Sequence, residues 1–167
     1  MKYRISHIIN TDPDTFWKRI FFDDAYNDAL YRQHLGFKYQ VLESQERPDG
    51  TLYRRVETCP NVEIPAAVRK VVGDVISYVE QGTFDPKTGR YVVEVIPSAV
   101  PDKIKTHAEA WVEDRGNKRC ERIIDLTNEV KIFGVGKLVE KHIEQQTRKS
   151  YDEAANFTNR WIAEQGL

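Results

Sequence analysis

Hydrophobic residues alternate with polar ones through the middle of the chain, and they recur with helical spacing near both ends. Alternation predicts strands with one buried face, whereas spacings of three and four residues predict helices. The pattern begins with a strand, "YRISHIIN", at residues 3–10. Two helices follow it. The first, "TDPDTFWKRIFFDD", can be capped by Thr11 or Asp12, and the second covers residues 24–35 and ends at Gly36.

From Phe37 the spacing of apolar residues changes toward two. Turn signals such as Pro-Asp-Gly in "ERPDG" then separate six predicted strands, at residues 37–45, 51–59, 74–85, 90–98, 103–115 and 118–133. The segment "NVEIPAAVRKVVG" interrupts them with a short helix, which Pro65 opens and Gly73 closes. The chain then forms one long helix over residues 136–165.

A glycine-rich segment, "GVGKL", joins the last strand to this long helix. A phosphate loop needs several glycines with converging backbone amides, followed by Lys and a hydroxyl residue. Here Lys137 is followed by Leu138, and the preceding strand belongs to an antiparallel meander. We therefore interpret the segment as a sharp turn, in which glycine supplies backbone angles that other residues avoid.

The element order is thus strand, two helices, six strands and a long helix. An antiparallel sheet cannot leave its apolar face in water, and the terminal helix is the only element large enough to cover it. The sequence predicts a single α+β domain, residues 1–167, in which a curved seven-stranded antiparallel sheet surrounds the C-terminal helix. The space between them is either a filled core or a cavity.

The inward faces of the last two strands favour a cavity, because many of their side chains are small. In "KIKTHAEAWVE" that face contains Ile104, Thr106, Ala108, Ala110 and Val112, and in "KRCERIIDLTNEVKI" it contains Cys120, Arg122, Ile124, Leu126, Asn128, Val130 and Ile132. The long helix is polar in its middle, where His142, Gln146 and Ser150 face the sheet. The remaining candidates for the lining of the cavity are Tyr39, Val41, Arg54, Tyr78, Tyr91 and Val93.

Two cations fall on these inward faces. Burying an unpaired charge is very costly, so Arg122, and less strictly Arg54, needs a partner. A one-residue bulge could instead turn either side chain outward, or Glu80 or Glu43 could pair with it inside. The alternative is an anionic group of a ligand.

The element order resembles that of the helix-grip fold of the START-like, or Bet v 1-like, superfamily (SRPBCC). Residues 64–88, "IPAAVRKVVGDVISYVEQGTFDPKT", are similar to the corresponding segment of the PRELI-like phospholipid transfer proteins. The matching positions are Pro65, Arg69, Lys70, Gly73, Tyr78, Val79, Glu80, Asp85 and Pro86. The N-terminal half departs from the PRELI pattern, so the chain looks closer to an uncharacterised bacterial START-like group.

This resemblance implies non-enzymatic binding or transport of a hydrophobic ligand, with a lipid as the expected partner. The short helix would then either cap one end of the barrel or act as a gate. As a gate, it would meet a membrane surface transiently through Ile64, Val68 and Val72, while Arg69 and Lys70 contact anionic headgroups. Two alternatives stay open: a cyclase or aromatase on the same fold, and a protein-interaction module with a filled core.

Composition and charge exclude several other classes. The chain has 25 basic and 26 acidic residues, and no basic face predicts nucleic-acid binding. The four histidines, His7, His34, His107 and His142, match no metal-binding spacing, no nucleophile motif is present, and we expect neither a metal nor a cofactor. For Glu80, a solvated face or a cap is a simpler explanation than acid–base chemistry, and the pairing with an inward arginine stays open beside it. The two cysteines fit small buried hydrophobes better than a disulfide, and no signal peptide or membrane span is evident, so we expect a cytoplasmic protein.

Overall fold

The computed structural model describes residues 1–167, and its strands follow the predicted order. Seven strands form one antiparallel sheet: β1 (Lys2–Ile9), β2 (Lys38–Glu46), β3 (Leu52–Cys59), β4 (Tyr78–Asp85), β5 (Arg90–Pro97), β6 (Ile104–Gly116) and β7 (Arg119–Val130). Their order in the sheet is β1-β7-β6-β5-β4-β3-β2. Strands β2 to β7 are each next to their neighbours in the sequence, whereas β1 pairs with β7 at one edge of the sheet. The two helices after β1 carry the chain from this edge to the opposite one, where β2 lies.

These two helices begin at aspartate caps and then widen to π-type hydrogen bonding. Helix α1 (Pro13–Thr15) continues as a π-type segment, Phe16–Phe21, and α2 (Asp24–Asn27) continues as Asp28–His34. The carboxylates of Asp12 and Asp23 accept hydrogen bonds from backbone amides of the first turns, at 2.9 and 2.7 Å. These caps explain why the chain turns into a new helix after residue 22.

Two further helices complete the fold, α3 (Ala66–Val72) between β3 and β4 and the long α4 (Gly136–Gln165) at the end. Helix α4 packs against β1, β7 and the π-type part of α2. The buried apolar residues form two separate clusters. The larger cluster joins α1, α2 and the second half of α4 to the sheet, and the smaller one surrounds α3. No helix is long and apolar enough to cross a membrane.

The structure confirms the predicted fold class, with local differences. Strand β4 begins at Tyr78 rather than at residue 74, and β7 ends at Val130. In the first turn of α4, Val139 is buried and the neighbouring Leu138 is exposed. Both cysteines are free, and Cys120 is buried.

The "GVGKL" segment turns the chain sharply from β7 into α4. Gly134 has a φ of 78°, which residues with a side chain rarely adopt. Gly136 begins the helix close to β7, where an added Cβ atom would lie 2.7 Å from the carbonyl oxygen of Val130. The first glycine therefore provides the bend, and the second allows the close approach.

We expect Gly136→Ala to destabilise the protein by about 1–3 kcal/mol, because the new methyl group overpacks against the β7 backbone. A glycine-to-alanine change in an unobstructed helix would instead stabilise by roughly 0.4–1 kcal/mol. Urea unfolding of wild type and variant shows whether the free energy of unfolding falls or rises. Lys141→Ala, at an exposed position of the same helix, is the matched control. A Gly136→Ala protein more stable than the wild type would contradict the packing described here.

Candidate functional site

A cavity of about 290 Å³ lies between the inner face of the sheet and α4. Residues of both apolar clusters line it: Trp17, Tyr26 and Leu30 come from the larger cluster, and Val68 and Val139 come from the smaller one. The cavity thus occupies the region between the two packed parts of the molecule. Helix α3 lies at one end, and the aromatic residues of α1 and α2 lie at the other.

Most of the candidate residues from the sequence line this cavity. Those from β2 to β5 are Tyr39, Arg54, Tyr78, Tyr91 and Val93. Those from β6 and β7 are Ala108, Ala110, Arg122, Ile124 and Leu126. Three more, His142, Gln146 and Ser150, project from successive turns of α4, and Val68 and Val72 contribute from α3.

Five candidates lie outside this lining. Val41 is on the edge strand β2 and faces a second, smaller cavity of about 210 Å³. Asn128 is fully buried beyond the main cavity, where its amide donates to the hydroxyl of Tyr3 at 3.1 Å. The expectation that these two line the cavity is therefore wrong. Of the gate candidates, Ile64 is buried in the smaller apolar cluster, and Arg69 and Lys70 are exposed on the outer side of α3.

Arg122 points inward from β7, and its partners are not those that the sequence suggested. No bulge turns it outward, and neither Glu80 nor Glu43 pairs with it. Its guanidinium donates to Nδ1 of His7 at 3.1 Å and to the carbonyl oxygen of Tyr151 at 3.3 Å, and it lies over the Tyr151 ring. His7 therefore accepts at Nδ1 and donates from Nε2 to Asp152, at 2.7 Å. Burial and the Arg122 charge lower the pKa of His7, which agrees with this neutral form.

Arg54 is also buried and inward-facing, without a direct ion pair. It donates to the hydroxyl of Tyr39 and to the carbonyl oxygen of Phe21, the latter at 3.2 Å. The bulge in β2, between Val41 and Glu43, does not change its direction. The sequence predicted either a bulge that turns each arginine outward or an ion pair with a carboxylate. Both predictions are wrong for both arginines. Neutral oxygen and nitrogen acceptors hold the two guanidinium groups instead.

Glu80 lines the cavity, as its proposed role as an inward partner required, but it forms no ion pair with either arginine. It faces inward from β4 because it shares one face of the strand with Tyr78, Gly82 and Phe84. The spacing of two residues in the sequence could have revealed this position. Its carboxylate makes no hydrogen bond or ion pair with another residue. Burial raises the pKa of Glu80 to about 6, and the charge of Arg54 opposes part of that shift.

Tyrosines surround Glu80 on several elements. Burial, together with the charge of Glu80, raises the pKa of Tyr31, Tyr91 and Tyr151, that of Tyr151 to about 12. These three hydroxyls have no hydrogen-bond partner in the protein, whereas that of Tyr39 accepts from Arg54. The site therefore contains one unpaired carboxylate and several phenol groups free to donate or accept.

Gly82 makes room for one of these tyrosines. A Cβ atom at Gly82 would lie 1.8 Å from the hydroxyl oxygen of Tyr91, so the Tyr91 ring lies directly over this position. Gly82 is two residues beyond Glu80 on the same face of β4. The missing side chain thus allows the Tyr91 hydroxyl to lie over the inner face of β4, near enough to Glu80 for its charge to raise the pKa of Tyr91.

The face of α4 adds a further unpaired group. His142 is buried and lines the cavity, its Nε2 atom has no partner, and burial lowers its pKa. No group of three or more His, Cys, Asp and Glu side chains is arranged to hold a metal ion. The site can therefore offer apolar contact and a few hydrogen bonds.

Comparison with known families identifies the chain. The family described as "Protein of unknown function (DUF2505)" matches residues 4–162, which is nearly the whole sequence. The chain belongs to the DUF2505 family. No curated protein sequence matches it.

Solved structures similar to this DUF2505 protein establish its fold. TTHA0849 from Thermus thermophilus superposes with a TM-score of 0.70 at 15 % identity, covering 100 % of both chains. The Zhui aromatase/cyclase from Streptomyces sp. R1128 gives 0.66 at 12 % identity, covering 97 % of this chain and 95 % of the other. A START superfamily protein from Mycobacterium smegmatis gives 0.58 at 13 %, covering 96 % and 98 %. The DUF2505 protein has the START-like helix-grip fold that the sequence predicted.

The titration of Glu80 predicts a pH dependence of stability. Its pKa is about 6 in the folded protein against an ordinary value of 4.5. The native state therefore holds this proton more tightly than the unfolded chain, and the free energy of unfolding falls as the pH rises between these values. A gap of about 1.5 pH units corresponds to about 2 kcal/mol.

We expect Glu80→Gln to remove the loss of stability that the wild type shows as the pH rises. From below pH 4.5 to above pH 6, the variant should gain about 2 kcal/mol of unfolding free energy relative to the wild type, as measured by urea unfolding. Glu57→Gln, on the exposed face of the adjacent strand, should leave the pH profile unchanged. Identical profiles for both variants would show that Glu80 is not in an apolar environment.

Proposed function

We propose that this DUF2505 protein binds a hydrophobic small molecule in the cavity between the sheet and α4, and carries it without chemical change. The observation that supports the proposal most is the cavity itself, whose lining is mainly apolar. Its volume of about 290 Å³ lies at the lower end of the range of about 300–1,000 Å³ that is usual for small-molecule sites. START-like relatives that bind hydrophobic ligands give the same expectation by analogy of fold.

The size of the cavity limits the class of ligand. A volume of this order suits a single-chain lipid or a compound of two or three rings better than a phospholipid with two acyl chains. An aromatic group of that size buries about 200 Å² of surface. At about 25 cal/mol per Å², this burial stabilises the complex by roughly 5 kcal/mol before the costs of association. This burial alone corresponds to a dissociation constant of roughly 0.2 mM at best, so tighter binding requires polar contacts in addition.

The two alternative functions receive less support. A filled-core interaction module would have no cavity of this size. A cyclase needs several polar groups that converge in the cavity, but Asn128 does not line the cavity and donates to Tyr3 instead. These positions favour a carrier over either alternative.

Helix α3 is the proposed gate. Val68 and Val72 border the cavity, and Ile64 and Val68 hold the helix in the smaller apolar cluster. In this closed state the apolar face of α3 points inward, so it could meet a membrane only after the helix has moved. Arg69 and Lys70 are exposed, although Asp74 lies 3.4 Å from the Arg69 guanidinium. We propose that this end of the molecule makes transient contact with a membrane surface as ligand enters.

Filling the cavity should weaken binding. We expect Ala110→Phe to weaken the binding of N-phenyl-1-naphthylamine, a neutral fluorescent probe, by about tenfold or more, because the ring occupies the space of the ligand. Fluorescence titration gives the dissociation constant. Lys105→Phe places the same ring on the outer face of β6 and is the matched control. Equal affinity for Ala110→Phe and wild type would refute binding in this cavity.

The gate proposal predicts uneven hydrogen exchange. The amide hydrogens of Ala66–Val72 should exchange faster than those of β7, because α3 is short and has no side-chain cap at its first turn. Saturating N-phenyl-1-naphthylamine should slow this exchange while β7 stays unchanged. Protection of α3 equal to that of β7 in the ligand-free protein would exclude α3 as the gate.

A further inference from the structure

We propose that Glu80 anchors the polar end of the ligand, and that this ligand is an uncharged amphiphile whose hydroxyl group donates a hydrogen bond to the Glu80 carboxylate. The inference rests on the proposed function, since it names the class of molecule that the cavity takes. It assigns the role of recognition to the one acidic side chain that lines the cavity.

The position of Glu80 in the sheet is the first support. It pairs with Val56 on β3 and with Val95 on β5, and both valines also line the cavity. The carboxylate is therefore placed among apolar side chains. Glu80 is half-buried, its carboxylate makes no hydrogen bond within the protein, and it borders the free space of the cavity. A ligand that donates to it would satisfy the missing bond.

The surrounding charges select the class of donor. Two guanidinium groups, those of Arg54 and Arg122, line the same cavity, so a cationic ligand would meet two like charges. A carboxylate or phosphate ligand would meet Glu80 itself. Both guanidinium groups already donate to acceptors within the protein. An uncharged donor avoids both repulsions.

A hydroxyl group also fits the remaining partners. It can donate to Glu80 and, at the same time, accept from a phenol group. Tyr31, Tyr91 and Tyr151 line the cavity with hydroxyls that have no protein partner. The Tyr91 hydroxyl lies over Gly82, two residues from Glu80 on the same face of β4. An ether or a hydrocarbon could use the apolar lining but would leave the carboxylate unpaired.

Four probes of one aromatic skeleton test this assignment by isothermal titration calorimetry. They are 2-naphthol, its methyl ether 2-methoxynaphthalene, the anion 2-naphthoate and the cation 2-naphthylmethylamine. We expect 2-naphthol to bind the wild type about tenfold or more tightly than the ether, as a hydrogen bond to a charged acceptor implies. Tighter binding of the anion or of the cation than of 2-naphthol would overturn the choice of an uncharged donor.

Variants of Glu80 then assign the preference to this residue. Glu80→Leu should bind 2-naphthol and its ether equally, and Glu80→Gln, which keeps an acceptor oxygen but no charge, should show a reduced preference. Glu57→Gln should retain the full preference. If wild type and Glu80→Leu bind both probes with the same affinities, the role of Glu80 is refuted while the cavity remains the ligand site. If no probe binds and none displaces N-phenyl-1-naphthylamine, the proposed function fails as well.

Discussion

The inner face of the curved sheet carries side chains that are too small to fill the space around α4, and the rest of the structure depends on this constraint. Ala108 and Ala110 on β6 leave volume that the helix does not take up, whereas the Tyr91 ring occupies the space over Gly82 on β4. The buried apolar residues consequently form two clusters rather than one. A cavity between two packed regions can stay open without collapse, because each region is stabilised by its own contacts.

The same open space determines which hydrogen-bond partners the inward-facing polar groups have. Arg54 and Arg122 are held by phenol, imidazole and carbonyl acceptors, which leaves each guanidinium hydrogen-bonded without an ion pair. Glu80 has no such partner and gains only from the charge of Arg54. Because a half-buried carboxylate without a hydrogen bond is unfavourable, a molecule that donates a hydrogen bond to Glu80 would be favoured in the cavity. Stability and recognition thus depend on the same residue.

Local patterns in the sequence were sufficient for the order of elements and for much of the lining of the cavity. Alternation placed Ala108 and Arg122 on inward faces, and the superfamily resemblance agreed with that layout. Contacts between distant parts of the chain were beyond such patterns. The imidazole that accepts from Arg122 belongs to His7, 115 residues earlier in the chain. Asn128 donates to the hydroxyl of Tyr3 and does not line the cavity. Glu80 was predictable from its alternation on β4, but its charge suggested solvent.

The most direct test of this account is mass spectrometry of the compounds that organic solvent extracts from the purified protein. We predict one dominant hydrophobic compound in about equimolar amount, with a single chain or a few fused rings and a free hydroxyl group. A protein that yields no bound compound, or one that yields a two-chain phospholipid in equimolar amount, would contradict the account of a small cavity built for an uncharged amphiphile.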